Sequence, residues 1–137
     1  RFADELLRVL RPGGCLAAAD WNRRDPKDGA MNRTERWVMR QLLNQWAHPE
    51  FASISGFRAN LEASPHQRGL ISTGDWTVAT LPSWFDSIAE GLRRPWAVLG
   101  LGPKAVLQGL RETPTLLLMH WAFATGLMQF GVFRLSH

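Results

Sequence analysis

The chain has 137 residues, of which 45% are apolar, so it forms one domain or part of one, with enough apolar surface for a core. Its 16 basic and 12 acidic residues give a net charge of +4, but the basic residues are scattered and do not alternate with aromatic ones, which argues against nucleic-acid binding. Cys15 is the single cysteine, so an internal disulfide is excluded and this side chain is expected to pack as a small apolar group.

Residues 1–21 predict a helix, a tight turn and a buried strand. Four apolar residues fall at i, i+4, i+7 and i+8, on one face of a helix: Phe2, Leu6, Val9 and Leu10. Residues 12–14 end this helix, and the uncharged run 15–19 predicts a strand buried on both faces. Such a strand belongs to a parallel unit whose preceding strand is absent, so the chain is expected to start in the middle of a fold. Because an exposed apolar edge invites pairing, a dimer through this strand is predicted.

A polar loop follows the strand and holds Arg23 and Arg24. In open α/β sheets ligands bind beyond the carboxyl ends of the strands, so this loop is a candidate element of a substrate site. Its two arginines are expected either to be solvated or to touch lipid phosphates. Asn32 and Glu35 then have the spacing of a helix N-cap and its acidic third residue, which predicts a helix. Together with a shorter helix after it, this helix makes residues 32–64 a predicted lid.

The remaining residues, 70–137, predict strands at either end with helices between them. The strands are expected over residues 70–78 and 129–136. Proline suits the first position of a helix, so three helices are predicted to begin at Pro82, Pro103 and Pro114. The apolar stretch 116–133 is interrupted by glycines, so it is interpreted as a buried helix that runs into the last strand rather than as a membrane span.

Several stretches carry a resemblance to a known family. LLRVLRPGGCLAAADW resembles the helix and fifth strand of class I S-adenosylmethionine (SAM) methyltransferases. ADWNRRD, VMRQLLNQWAHPEFASISGFRANLEAS, GDWTVATLPSWFDSI and RETPTLLLMHWAFATGLMQFGVF resemble the tocopherol methyltransferase-like family, cyanobacterial enzymes that act on prenylated hydroquinones. The similarity runs along residues 1–137 and implies an α/β fold, the C-terminal part of one Rossmann-like methyltransferase domain with a helical lid insertion. In that fold the last strand lies antiparallel beside its neighbours.

The family holds SAM in a glycine-rich turn after its first strand. No GxGxG occurs in this sequence, and Gly100 and Gly102, which stand ahead of Pro103, are interpreted as a turn into a helix. The resemblance therefore implies SAM as the cofactor, an N-terminal cofactor-binding half that is missing here, no cofactor-binding residue in the chain, and no activity of the chain alone. The sequence shows no His, Cys and Asp cluster with ligand spacing, so no metal site is predicted.

The resemblance also implies a reaction. It is the transfer of a methyl group to a ring carbon of 2-methyl-6-phytyl- or 2-methyl-6-solanesyl-1,4-benzoquinol, in tocopherol (vitamin E) and plastoquinone synthesis. The alternatives are a γ-tocopherol methyltransferase or another small-molecule SAM methyltransferase and, from a different class, a non-catalytic lipid-binding or interaction module. The protein is expected to be cytoplasmic and peripheral to the thylakoid or plasma membrane, with no nucleic-acid partner.

Candidate site residues follow from this reaction. A ring carbon becomes nucleophilic when a neighbouring hydroxyl is hydrogen-bonded to a base. His48, at the end of the first lid helix, and Asp20, at the end of the strand, are the candidate acceptors; each has a structural alternative, as a cap of the helix or of the loop. Five tryptophans either line a channel for the prenyl tail or pack in the core: Trp21, Trp37, Trp46, Trp76 and Trp84.

Overall fold

The computed structural model describes residues 2–45 and 50–136. Its helices are α1 (Phe2–Arg8), α2 (Arg33–Gln45), α3 (Ile54–Glu62), α4 (Thr77–Arg93), α5 (Pro95–Leu99) and α6 (Pro103–Ala124), with a short 3-10 helix at Pro26–Asp28. Its strands are β1 (Cys15–Arg23), β2 (Leu70–Asp75) and β3 (Met128–Ser136). This mixture of helices with a small sheet confirms the α/β class.

The three strands form one sheet in the order β1-β3-β2. The last strand, β3, pairs antiparallel with both neighbours, as the resemblance implies, so β1 and β2 run parallel to each other. Gly131 of β3 stands opposite Asp20 of β1 and Asp75 of β2, which fixes the register at the carboxyl ends of those two strands.

One face of the sheet packs against α1 and α3. Five side chains form the centre of this core: Leu7, Phe57, Leu61, Phe133 and Leu135. The rings of Phe57 and Phe133 lie with centroids 4.4 Å apart. The predicted apolar face of α1 is partly wrong, because Phe2 and Val9 are exposed while Ala3 and Leu7, one turn apart, face the core. Because α1 has only seven residues, about two turns, the contacts of Ala3 and Leu7 with the core set its orientation.

The prediction that residues 15–19 are buried on both faces is wrong. Leu16 and Ala18 are half-buried on the side of α1 and α3, whereas Cys15, Ala17 and Ala19 are exposed. Over residues 15–19, this alternation is that of a strand segment with helices on one side only. The thiol of Cys15 is thus exposed. In the described part of the chain β1 pairs along its length with β3, and its other edge forms a single bridge, from Arg23 to Ser53. The dimer through that edge stays a prediction.

The opposite face of the sheet carries a second core near the carboxyl end of β1. Side chains from α2, α6 and the start of β3 form it: Val38, Met39, Leu42, Met119, Ala122, Phe123, Leu127 and Met128. Asn32 begins α2 as predicted, since its Oδ1 accepts from the Glu35 N–H at 2.9 Å and its own N–H donates to Glu35 Oε2 at 2.8 Å. This reciprocal pair satisfies two donors at the helix start.

Two of the three predicted helix starts differ in the structure. Pro103 is the first residue of α6, as predicted, but Pro82 lies inside α4 and Pro114 inside α6. Apolar side chains after each proline pack into the same core, and their burial outweighs the one backbone hydrogen bond that each proline removes. The interpretation of the stretch 116–133 as a helix that runs into the last strand is confirmed. No helix in the described ranges is long and apolar enough to cross a bilayer.

Candidate functional site

A small aromatic pocket lies where β1 ends, between the sheet and helices α4 and α6. Its lining residues are Trp21, Thr77, Thr80, Leu81, Trp84, Phe123 and Phe130. The rings of Trp21 and Trp84 meet edge to face with centroids 6.4 Å apart, and the Trp84 and Phe123 centroids are 5.7 Å apart. The void between these side chains measures about 20 Å³, which is room for about one water molecule.

Strand register and helical spacing bring these side chains together. Trp21 and Phe130 pair across β1 and β3, so their side chains share one face of the sheet. Leu81 and Trp84 stand three residues apart on α4 and therefore lie on one side of that helix. The Nε1–H of Trp84 is buried and has no hydrogen-bond partner among residues 2–45 and 50–136, so this part of the structure leaves one donor unused at the pocket.

A polar group borders this pocket and was missed in the sequence. Asp75 Oδ1 accepts hydrogen bonds from the N–H and the hydroxyl of Thr77, and Asp75 Oδ2 accepts from Gln129 Nε2 at 3.0 Å. The Thr77 hydroxyl oxygen in turn accepts from the N–H of Phe130 at 2.8 Å. The signal that could have revealed this group is an aspartate two residues before the start of a helix, where a carboxylate caps free N–H groups.

Of the two predicted acceptors, the structure describes Asp20, whose side chain does not line this pocket. Asp20 is exposed and its Oδ1 accepts from the N–H of Trp21 at 2.8 Å. Because neighbouring residues of a strand point to opposite faces, Asp20 stands on the face away from the Trp21 ring. Asp75 pairs with the same residue, Gly131, and therefore lies on that face as well. His48 lies outside the described residues.

The five predicted tryptophans are distributed over the molecule. Trp21 and Trp84 meet in the pocket. Trp37 on α2 is 52% exposed and Trp76, just before α4, is 57% exposed. Trp46 lies outside the described residues. The structure thus joins two of the five into one apolar surface.

The loop arginines are half-buried and paired with carboxylates, so they are not simply solvated, and their contact with lipid phosphates stays a prediction. Arg24 donates to both carboxylate oxygens of Glu35, at 2.9 and 3.1 Å, and its N–H donates to the carbonyl of Leu127 at 2.8 Å. Arg23 Nη2 lies 3.1 Å from Glu50 Oε1. The bonds from Arg24, and then the N–H of Asn32, lower the pKa of Glu35 below its ordinary value.

Asp25 fixes the same loop from its other side. Its carboxylate accepts from the Ser55 hydroxyl of α3 and from the N–H of Lys27, and these bonds, the first above all, lower its pKa. Together with the Arg24–Glu35 pair, this contact joins the loop after β1 to both α2 and α3.

The residues nearest to a glycine-rich turn do not fit SAM. Gly102 has φ +93°, follows α5 and precedes Pro103 at the start of α6, so the interpretation as a turn into a helix is confirmed. An open groove of about 470 Å³ lies beside it, lined by Leu99, Gly102, Pro103, Val106, Leu107 and Leu110. A SAM site needs a strand before the turn and an acidic group for the ribose, and this groove has neither. Over residues 2–45 and 50–136, no three His, Cys, Asp or Glu side chains converge as a metal site would require.

Comparison with known proteins identifies a relative. No protein-family model matches the chain. It is 53% identical over 133 residues to 2-methyl-6-phytyl-1,4-hydroquinone methyltransferase from Synechocystis sp., an alignment that covers 97% of this chain and 42% of that protein. The chain therefore spans less than half the length of this relative. The resemblance seen in the sequence is confirmed: this chain is similar, along almost all of its length, to part of a prenylated-hydroquinone methyltransferase.

Proposed function

We propose that this chain forms the substrate-side part of a SAM-dependent methyltransferase that methylates a ring carbon of a prenylated benzoquinol. The 53% identity to a hydroquinone methyltransferase carries this proposal. SAM, when bound, supplies an electrophilic methyl group on its sulfonium, and the residues that hold it lie outside this chain. The fold proposed for the whole protein is Rossmann-like, with the sheet β1-β3-β2 at one of its edges.

The aromatic pocket and the groove suit a substrate with a polar ring and a long apolar tail. The void between Trp21 and Trp84 is too small for a benzoquinol ring, so we place the ring at the rim beside Thr77 and the start of the tail over the two indoles. Apolar tails bind by removing area from water, at about 25 cal/mol per Å². Helices α4 and α6 line the pocket, and α6 continues into the groove beside α5.

Asp75 joins the two acceptors predicted from the sequence. Its carboxylate is exposed and reaches the pocket only through Thr77, which lines it. A carboxylate has about four acceptor positions, of which three are occupied by Thr77 and Gln129. A quinol hydroxyl at the rim would take the remaining position and donate its proton there. His48 and Asp20 stay as alternative acceptors.

The test of the function uses the full reading frame that contains this chain, with labelled SAM. It is offered 2-methyl-6-phytyl-1,4-benzoquinol and γ-tocopherol in parallel, and the 137-residue chain alone serves as the control. We expect label in the open-ring quinol, made by the full protein only. Label in γ-tocopherol alone would favour the closed-ring alternative, and transfer to neither would contradict the proposal.

The site is tested with matched variants in that assay. Asp75→Asn is expected to lower kcat by about 10²-fold or more with little change in KM, because a general base contributes about that much to the chemical step. Asp20→Asn is the control, because Asp20 on β1 and Asp75 on β2 both pair with Gly131 of β3. A loss with Asp20→Asn and not with Asp75→Asn would overturn the assignment of Asp75.

A non-catalytic lipid-binding module is the second candidate, and the open apolar groove beside α5 is the observation that favours it. A module would bind the quinol without transferring label from SAM.

We also propose that the protein works at the surface of an anionic membrane, where a prenylated quinol resides, on the cytoplasmic side of the thylakoid or plasma membrane.

A further inference from the structure

The end of α4, helix α5 and the first part of α6, residues 91–111, form an exposed segment that we call the apolar arm. Six large apolar side chains on it are at least 60% exposed: Leu92, Trp96, Leu99, Leu101, Leu107 and Leu110. Contiguous apolar surface of this kind is rarely left exposed, so it is covered by another part of the same protein, by a partner or by a membrane. Part of it forms the open groove of about 470 Å³.

The charge of the arm indicates what covers it. Residues 91–111 hold four of the 16 basic residues and none of the 12 acidic ones, so the net charge of +4 for the whole chain equals the charge of this segment. The side chains of Arg93, Lys104 and Arg111 are exposed. Arg94 pairs with Glu90, at 2.6 Å, just before the arm. Basic side chains around exposed leucines and a tryptophan are typical of segments that lie in the surface of an anionic bilayer.

We propose that the apolar arm docks this protein on an anionic lipid surface. Trp96, Leu107 and Leu110 enter the boundary between headgroups and acyl chains, and Arg93, Lys104 and Arg111 contact lipid phosphates. This docking deepens the membrane association proposed above and does not depend on methyl transfer.

Vesicle binding tests the docking. The full chain is sedimented with vesicles of phosphatidylcholine alone or of equal parts phosphatidylcholine and phosphatidylglycerol, with no SAM or quinol present. We expect binding to the anionic vesicles that weakens with salt, with quenching of tryptophan fluorescence by brominated lipid. Replacing Lys104 and Arg111 by Gln should weaken binding roughly fivefold for each charge. Replacing Arg40 and Arg68, which are exposed elsewhere, is the matched control.

The apolar contribution is tested in the same way. Leu107→Asp with Leu110→Asp should abolish binding, and Leu70→Asp, at a leucine that is 82% exposed on β2, should leave it unchanged. All three positions of these variants are exposed, and circular dichroism checks the fold. Equal binding to neutral vesicles, no binding, or unchanged binding of the double variant would overturn the proposal. A concentration-dependent dimer that the double variant abolishes would instead assign the arm to a second copy. Since the assay needs no methyl transfer, its failure is separate from failure of the proposed enzyme activity.

Discussion

The core under α1 and α3 and the apolar arm use the same residue types in opposite ways. In the first, Leu61, Phe133 and Leu135 are fully buried. In the second, Leu99, Leu107 and Leu110 are at least 60% exposed. Apolar content alone therefore does not show which region of the chain stabilises the fold. The core holds the fold together, whereas the arm contributes little until something outside it covers its surface.

The largest expected contrast is between a core and an arm truncation. Phe133→Ala removes a fully buried ring that packs on Phe57 and should lower the free energy of unfolding by about 3–5 kcal/mol. Leu107→Ala should change it by less than about 0.5 kcal/mol, since its side chain is exposed. Urea unfolding followed by circular dichroism measures both. Equal losses would mean that the arm is packed in solution.

The Arg24–Glu35 pair tests whether a polar contact stabilises the core region as well. Glu35→Gln should cost about 2 kcal/mol, because it leaves the half-buried Arg24 without a charged partner. Glu62→Gln breaks the exposed Arg58–Glu62 pair and should cost less than about 0.5 kcal/mol. If both variants lowered the free energy of unfolding equally, the burial of Glu35 would not strengthen its pair with Arg24.

The same variant has a defined pH dependence. Folding lowers the pKa of Glu35 below its ordinary value of 4.5, mainly through the Arg24 hydrogen bonds. Its stabilising effect is therefore complete above pH 4.5 and is lost as the pH falls through the lowered pKa. The free energy of unfolding should fall less steeply with decreasing pH in Glu35→Gln than in the parent, measured by urea titrations across this range. Asp25 also has a lowered pKa, but it is present in both proteins, so the difference isolates Glu35.

Two glycine-to-alanine substitutions, each adding one methyl group, compare the packed sheet with the border of the apolar arm. A Cβ at Gly131 would overlap Asn22 Oδ1 and lie 3.0 Å from Ile54 Cγ1, so Gly131→Ala should destabilise by about 1–3 kcal/mol. Gly91, at the border of the arm, has no atom within 4 Å of such a Cβ, and Gly91→Ala should stabilise α4 by up to about 1 kcal/mol. Thermal unfolding reports both signs; a stabilising Gly131→Ala would contradict the close packing described.

The smallest effect is expected at Cys15. Its thiol is exposed on the uncovered face of β1, so a maleimide should label it in the native protein without changing the unfolding temperature. Protection from labelling that disappears on dilution would instead support the predicted dimer through this strand. The rate of maleimide labelling in urea gives the reference for a fully accessible thiol.

The sequence alone determined the local features whose signals lie within a few residues of each other. Asn32 and Glu35 begin α2 because their reciprocal hydrogen bonds need only the spacing of one helical turn. Gly102 and Pro103 open α6 by the same kind of local rule. The resemblance to a hydroquinone methyltransferase also came from the sequence, because it depends on residue order and not on contacts.

The tertiary structure decided everything that depends on which face is covered. The exposed Cys15, the outward face of the arm and the continuation of α4 and α6 through Pro82 and Pro114 all follow from where helices pack on the sheet. The meeting of Trp21 with Trp84, and of Asp75 with Gln129, joins residues more than 50 positions apart. Such contacts follow from strand register and helix placement, which hydrophobic periodicity does not encode, since it records how apolar a residue is and not what will cover it.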